Sequence, residues 1–161
     1  MNGWQIRQVD PRTASDQEYA AMTTFSNLMR AERLPDDPPI PLEENINSWR
    51  NIPPFVDVSV WVAVRPDRDE MVASGIADFL RMEQNKHLVE FSIDVLPEYR
   101  RQGLGKRLLG LIVDVPVREQ RRLMITSTNE RIPAGEAFMQ RLGAQMGLAS
   151  HIHQLKLSEL N

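Results

Sequence analysis

From Val56 to Val64 every second residue is valine, with Asp57, Ser59, Trp61 and Ala63 between. β-Branched side chains at period two are a strand signal. Arg65-Pro66-Asp67-Arg68-Asp69 turns the chain, and Met71 to Arg81 and Leu88 to Val95 are strands of hairpin-compatible length. Three consecutive strands predict an antiparallel meander. Ahead of them, Trp4, Ile6 and Gln8 alternate with Gln5, Arg7 and Val9 in a short first strand stopped by Asp10-Pro11. Ser15 with Glu18 three residues on is a capping box, and Ala21, Phe25, Leu28 and Met29 follow at helical spacing. Pro35 closes that helix, and the proline-rich run to Pro41 must be a loop, since so many of its residues lack an N–H. A second helix is expected from Leu42 to Asn51.

After Val95 the period changes. Leu104, Leu108, Leu111, Ile112 and Val115 form one face of a helix that starts beside two glycines, and Pro116 is expected to kink or end it. Leu123 to Thr128 reads as a strand, Ala134 to Leu142 as a helix closed by Gly143, and His151 to Leu157 as a last strand. The fold class is α+β, or mixed α/β: a mixed sheet with helices on its faces and no repeat or linker to divide it. One domain over residues 1–161 is expected, a size that buries roughly two thirds of its unfolded surface.

Composition narrows the chemistry. There is no cysteine, which removes disulfides, thiolate zinc sites and a cysteine nucleophile and fits a reducing, cytoplasmic setting. Neither a signal-peptide pattern nor an apolar run of membrane-spanning length is present, so a soluble, unprocessed chain is expected. A net charge of −3 argues against a protein that neutralises many nucleic-acid phosphates.

The most informative stretch runs from Val95 to Lys106, between a strand and an amphipathic helix. Pro97 takes the chain out of the sheet. Gly103 and Gly105 let backbone N–H groups approach a ligand closely where a helix begins. Those N–H groups, the helix dipole, and Arg100, Arg101, Lys106 and Arg107 together make an anion site suited to a diphosphate. No Gly-Lys-Ser/Thr follows, and Leu108 stands where a dinucleotide fingerprint has its third glycine, so neither phosphate-loop rival fits.

Val95, Pro97, Arg100, Gly103 and Gly105 resemble the coenzyme A signature of the GNAT acyltransferase superfamily, Val-x-Pro-x-x-Arg-x-x-Gly-x-Gly. The order of elements agrees over nearly the whole chain. The resemblance implies a GNAT fold, a mostly antiparallel mixed sheet of six to seven strands flanked by about four helices. It implies acetyl-coenzyme A as cosubstrate, held by Ile93, Val95, Leu96, Arg100, Arg101, Gln102, Gly103, Leu104, Gly105, Lys106 and Asn129, with no metal. It also implies that backbone N–H groups near Ile93 and Val95 polarise the thioester carbonyl. Asn129, Phe138 and Gly143 are similar to the superfamily's second signature, but Met139 stands where a tyrosine often serves as general acid. Pro133 to Phe138 with Leu142-Gly143-Ala144 resembles the first lobe of bacterial tandem-GNAT proteins, which implies a catalytically weak coenzyme A-binding lobe as the alternative function.

For the reaction itself, an acetyl group passing directly to a primary amine, a base is needed. Glu90 is the candidate, with Asp94 beside it on one face of the strand and Ser92 between; alternatively both decorate a solvated face. Asp36 and Asp37 could recruit a cationic amine or serve only as turn formers. His151 and His153 share a strand face but have no third ligand nearby. The expected partners are a small-molecule amine or peptide acceptor and a second copy or partner GNAT lobe, with neither nucleic acid nor membrane.

Overall fold

In the computed structural model, which describes residues 3–151, the valine-alternating segment is the second strand of a five-stranded sheet. The chain divides into two compact units, Met1–Ser127 and Thr128–Asn161. The first contains β1 (Gln5–Val9), α1 (Asp16–Arg33), α2 (Leu42–Arg50), β2 (Val56–Arg65), β3 (Glu70–Leu80), β4 (Leu88–Val95), α3 (Leu104–Arg118) and β5 (Leu123–Ile125). The strands lie in chain order, antiparallel from β1 to β4, with β5 parallel to β4. The second unit carries α4 (Pro133–Arg141).

Local chemistry explains the boundaries. Ser15 accepts from the Glu18 N–H while the Glu18 carboxylate accepts from the Ser15 N–H, the two halves of the capping box. The proline-rich loop after α1 is held by the Asn27 side chain, which accepts from the Ile40 N–H at 2.9 Å and donates to its carbonyl at 3.0 Å. Arg12 donates to the carbonyls of Ile52, Pro53 and Val56, which lie at the approach to β2.

The two sheet faces differ in who covers them. Trp61, Ala63, Ala73, Gly75 and Ala77 share one face by register, and α3 lies over it with Leu104, Leu108, Ile112 and Val115 buried. A Cβ at Gly75 would stand 3.1 Å from Ile112 Cδ1 and 3.3 Å from Leu108 Cβ, so the absence of a side chain sets how closely α3 seats. Gly75→Val is therefore expected to lower unfolding stability by about 1–3 kcal/mol through overpacking. Urea denaturation checks this, and an unchanged midpoint would contradict it. The core also takes in Tyr19, Met22, Phe25 and Met29 from α1, which packs on β3. Tyr19, almost fully buried, donates its hydroxyl to the Pro11 carbonyl at 2.7 Å.

Two expectations change. Pro116 neither ends nor interrupts α3, which continues to Arg118. The proline sits close enough to the helix end to remove a single bond, and its own carbonyl accepts from the Arg121 N–H at 2.8 Å. β5 stops at Ile125 rather than Thr128, because at Thr126 a hydroxyl, not the backbone, reaches the Phe91 carbonyl, at 2.6 Å. Among the described residues the sheet has five strands, and the expected last strand, His151 to Leu157, lies outside them beyond His151.

Candidate functional site

β4 and β5 part company after Glu90, ahead of the glycine turn. Their parallel ladder consists of Leu88↔Leu123, Val89↔Met124 and Glu90↔Ile125, whereas β3 stays paired with β4 as far as Ala73↔Val95. The Leu96 N–H donates to the Val72 carbonyl on the β3 side at 2.9 Å. Alternation then turns the backbone groups of Phe91, Ile93 and Val95 to the opposite edge, as the Thr126 hydroxyl on Phe91 O and the Arg100 guanidinium on Val95 O confirm. Ile93 and Val95 thus present N–H groups along an edge that β5 has left. Leu96 is committed to the core and to β3.

The turn after β4 is built for close backbone approach. A short 3-10 turn, Pro97–Tyr99, leads to Arg101 with φ 63° and Gly103 with φ 88°, both left-handed, and α3 starts at Leu104. The first intrahelical bond there runs from the Arg107 N–H to the Gly103 carbonyl, which leaves the N–H groups of Leu104, Gly105 and Lys106 without an intrahelical acceptor. Arg101, Lys106 and Arg107 are exposed beside them, and Leu104 anchors the turn in the core. Arg100 behaves differently from its neighbours. Its two terminal nitrogens meet both Glu32 oxygens, at 2.8 and 2.6 Å, and its Nε donates to Val95 O, so this guanidinium ties the turn to α1. Gln102 Nε2 donates to the Glu98 carbonyl at 3.0 Å. A diphosphate fits this arrangement, with N–H donors and three exposed cations around a turn that carries no obstructing Cβ at Gly103.

Three carboxylates lie on the face of the sheet away from α3. Asp94 pairs with Arg33 at 3.3 Å, and burial outweighs the pull of Arg33 and Arg100 to hold its pKa above the ordinary aspartate value. Glu90 is exposed and stands in direct register with Asp78 of β3. Among the described residues neither Asp78 nor Glu90 is in an ion pair. Burial first, and the charge of Glu90 second, raise the Asp78 pKa. They open into one recess together with Phe79, Leu80, Asn85 and Leu88. Asp78 escaped the sequence reading, although a charged residue within the expected strand Met71 to Arg81 was its available signal.

A raised carboxyl pKa means the native state binds its proton more tightly than the unfolded chain. The stability Asp78 contributes is full below the ordinary aspartate pKa and is lost as pH rises through the native value. Asp78→Asn should therefore gain stability over the parent as pH climbs through that range, and gain little below it. Urea midpoints at pH 4 and pH 7 check this; an equal difference at both would contradict it.

The other candidates are placed more simply. Asp37 pairs with Arg30 at 2.9 Å within the proline-rich loop, and Asp36 is exposed. In the second unit, Asn129 accepts from the Arg131 N–H at 2.9 Å in a local turn, α4 carries Phe138 and Met139 half-buried, and Gly143, φ 77°, closes it. His151 is exposed, and His153 lies outside the described residues. Among the described residues, no group of three or more His, Asp or Glu is arranged to hold a metal, and no helix is long and apolar enough to cross a membrane.

An open strand edge thus runs into a glycine turn and a helix start. The sequence pattern of the acetyltransferase (GNAT) family matches residues 22–144, and the chain belongs to that family. No curated protein matches the chain. Among solved structures it is similar to an aminoglycoside acetyltransferase from an uncultured soil metagenomic sample in complex with sisomicin, with TM-score 0.70 and 16% identity over 96% of this chain and 98% of that one. It is also similar to an aminoglycoside N-acetyltransferase in complex with CoA, TM-score 0.63 and 16% identity over 95% of both chains. A third is an acetyltransferase from Salmonella typhimurium with acetyl-CoA, TM-score 0.65 and 19% identity over 88% of this chain and 79% of that one. At these identities the likeness is one of fold.

Proposed function

We propose that this chain transfers the acetyl group of acetyl-CoA to a primary amine of a small, multiply charged acceptor by direct attack. The observation that carries the reading is the parting of β4 from β5, which exposes the Ile93 and Val95 N–H groups next to the Gly103 turn. Acetyl-CoA supplies the activated acetyl group as a thioester. Leu104, Gly105 and Lys106 N–H groups, with the Arg101, Lys106 and Arg107 side chains, hold its diphosphate. Ile93 and Val95 donate along the open edge toward the acyl carbonyl, a contribution from backbone geometry that needs no catalytic side chain. The solved acetyltransferases of this fold that contain CoA or acetyl-CoA support the donor assignment.

Asp78 and Glu90 supply the acceptor side. Two carboxylates opposed on neighbouring strands without a cation favour an incoming ammonium, which relieves their mutual repulsion. Glu90, the more exposed, takes the proton that makes the amine nucleophilic, directly or through water. The aminoglycoside complex of the same fold fits an acceptor with several amines.

One observation favours a second reading. Met139 cannot protonate the departing thiolate, so a coenzyme A-binding lobe of little turnover, partnered by another GNAT lobe, is the alternative. The deciding experiment incubates the chain with acetyl-CoA and n-butylamine, spermidine or sisomicin and weighs the products by mass spectrometry. Acetylated spermidine or sisomicin in excess over butylamine is the expected result. Binding of acetyl-CoA with no acetylated amine would overturn the enzyme reading in favour of the lobe.

A further inference from the structure

Beyond the Asp78↔Glu90 pair the β3–β4 ladder stops, although β3 runs on to Leu80 and β4 begins at Leu88. A guanidinium fills the fork. Arg121, in the turn between α3 and β5, donates from Nη1 to the carbonyls of Asn85 at 2.9 Å and Leu88 at 3.0 Å, and from Nη2 to that of Leu80 at 3.2 Å. Its guanidinium carbon lies 4.1 Å from the centre of the Phe79 ring. Phe79, Leu80, Asn85 and Leu88 are the residues that line the recess together with Asp78 and Glu90. The backbone around Arg121 is itself fixed: its N–H donates to Pro116 O, and the N–H groups of Arg122 and Leu123 both donate to His87 O, at 3.0 and 2.9 Å.

The choice of residue follows from geometry. Three carbonyls, one from each strand end and one from the connection between them, need donors spread in a plane, which a guanidinium has and an ammonium on a flexible stem does not. The arrangement is retained even though Arg121 Nε is buried without a hydrogen-bond partner. Without the guanidinium the carbonyls it holds would turn to water, and water entering there would hydrate the half-buried Asp78.

We propose that Arg121 is a positioning residue: it holds the β3–β4 fork open and dry, and so sets the spacing at which Asp78 and Glu90 receive a cationic acceptor. The proposal rests on the reading of this recess as the acceptor site, but its core can be tested apart from that reading. The variants are Arg121→Lys and Arg121→Gln in the full chain. The first readout is the carboxyl-carbon NMR titration of Asp78. In the parent it should titrate above the ordinary aspartate range, and Glu90 on β4 is the charged group whose influence adds to burial there. In both variants it should fall back toward that range. The second readout is kinetic, with sisomicin as probe: its KM should rise about tenfold, as expected of misplaced binding groups, while the KM for acetyl-CoA stays within about twofold. Folded variants whose Asp78 titrates as in the parent would overturn the proposal. Should neither variant fold, Phe79→Leu removes the ring beneath the guanidinium, and an unmoved Asp78 in that protein would overturn it equally. A parent chain that acetylates no amine sinks the acceptor reading and leaves the titration to decide the role of Arg121.

Discussion

Replacing Gly103 with glutamate is expected to abolish acetyl-CoA binding while leaving the chain folded. Gly103 has φ 88°, and a Cβ there would meet nothing within 4 Å, so the substitution distorts the turn without jamming the core. Left-handed backbone at a non-glycine residue costs about 1–3 kcal/mol. The new carboxylate would also stand where Leu104, Gly105 and Lys106 offer N–H groups to an anion, turning attraction into repulsion. Each 1.4 kcal/mol is tenfold in affinity, so the two effects together should weaken binding about a hundredfold or more. Calorimetric titration alongside a thermal melt checks both halves. Undiminished affinity in the folded variant would remove the turn from the donor site.

The second large effect concerns Glu90. Glu90→Gln should lower kcat by about 10²–10⁴ at neutral pH, the usual worth of a positioned base, with acetyl-CoA affinity unchanged. The deficit should shrink at high pH, where the acceptor amine loses its proton to solvent and needs no base. A pH–rate profile of both proteins checks this. If kcat at neutral pH is unaffected, the proton leaves by another route, and Asp78, its register partner, becomes the residue to replace.

These expectations draw on two kinds of information that differ in where they reside. The helix started by Ser15, the valine strand, the meander and the glycine turn before α3 are local patterns, so they were legible residue by residue. So was the likeness of Val95 to Gly105 to a coenzyme A signature, because a backbone turn before a helix is encoded within a dozen neighbours. The recess holding Asp78 and Glu90 was not. Asp78 faces Glu90 only because β3 and β4 pair in one register, and a slip of one residue would send them to opposite faces. Arg100 read as a phosphate ligand from its position in the motif, yet its guanidinium is bound to Glu32, 68 residues earlier on α1. Arg121 carries no sequence pattern at all; its role comes from a ladder that ends early between strands it does not belong to. Local periodicity finds elements and turns, whereas side chains that serve distant carbonyls or carboxylates are set by packing.

The most direct test of the central claim is to titrate acetyl-CoA into the 15N-labelled chain and follow the backbone amides. The account predicts that the amides of Ile93, Val95, Leu104, Gly105 and Lys106 shift together along one binding curve, while those buried in β2 stay put. Shifts confined to other parts of the sheet, or none at all, would contradict the assignment of the open β4 edge and the start of α3 as the acyl-donor site.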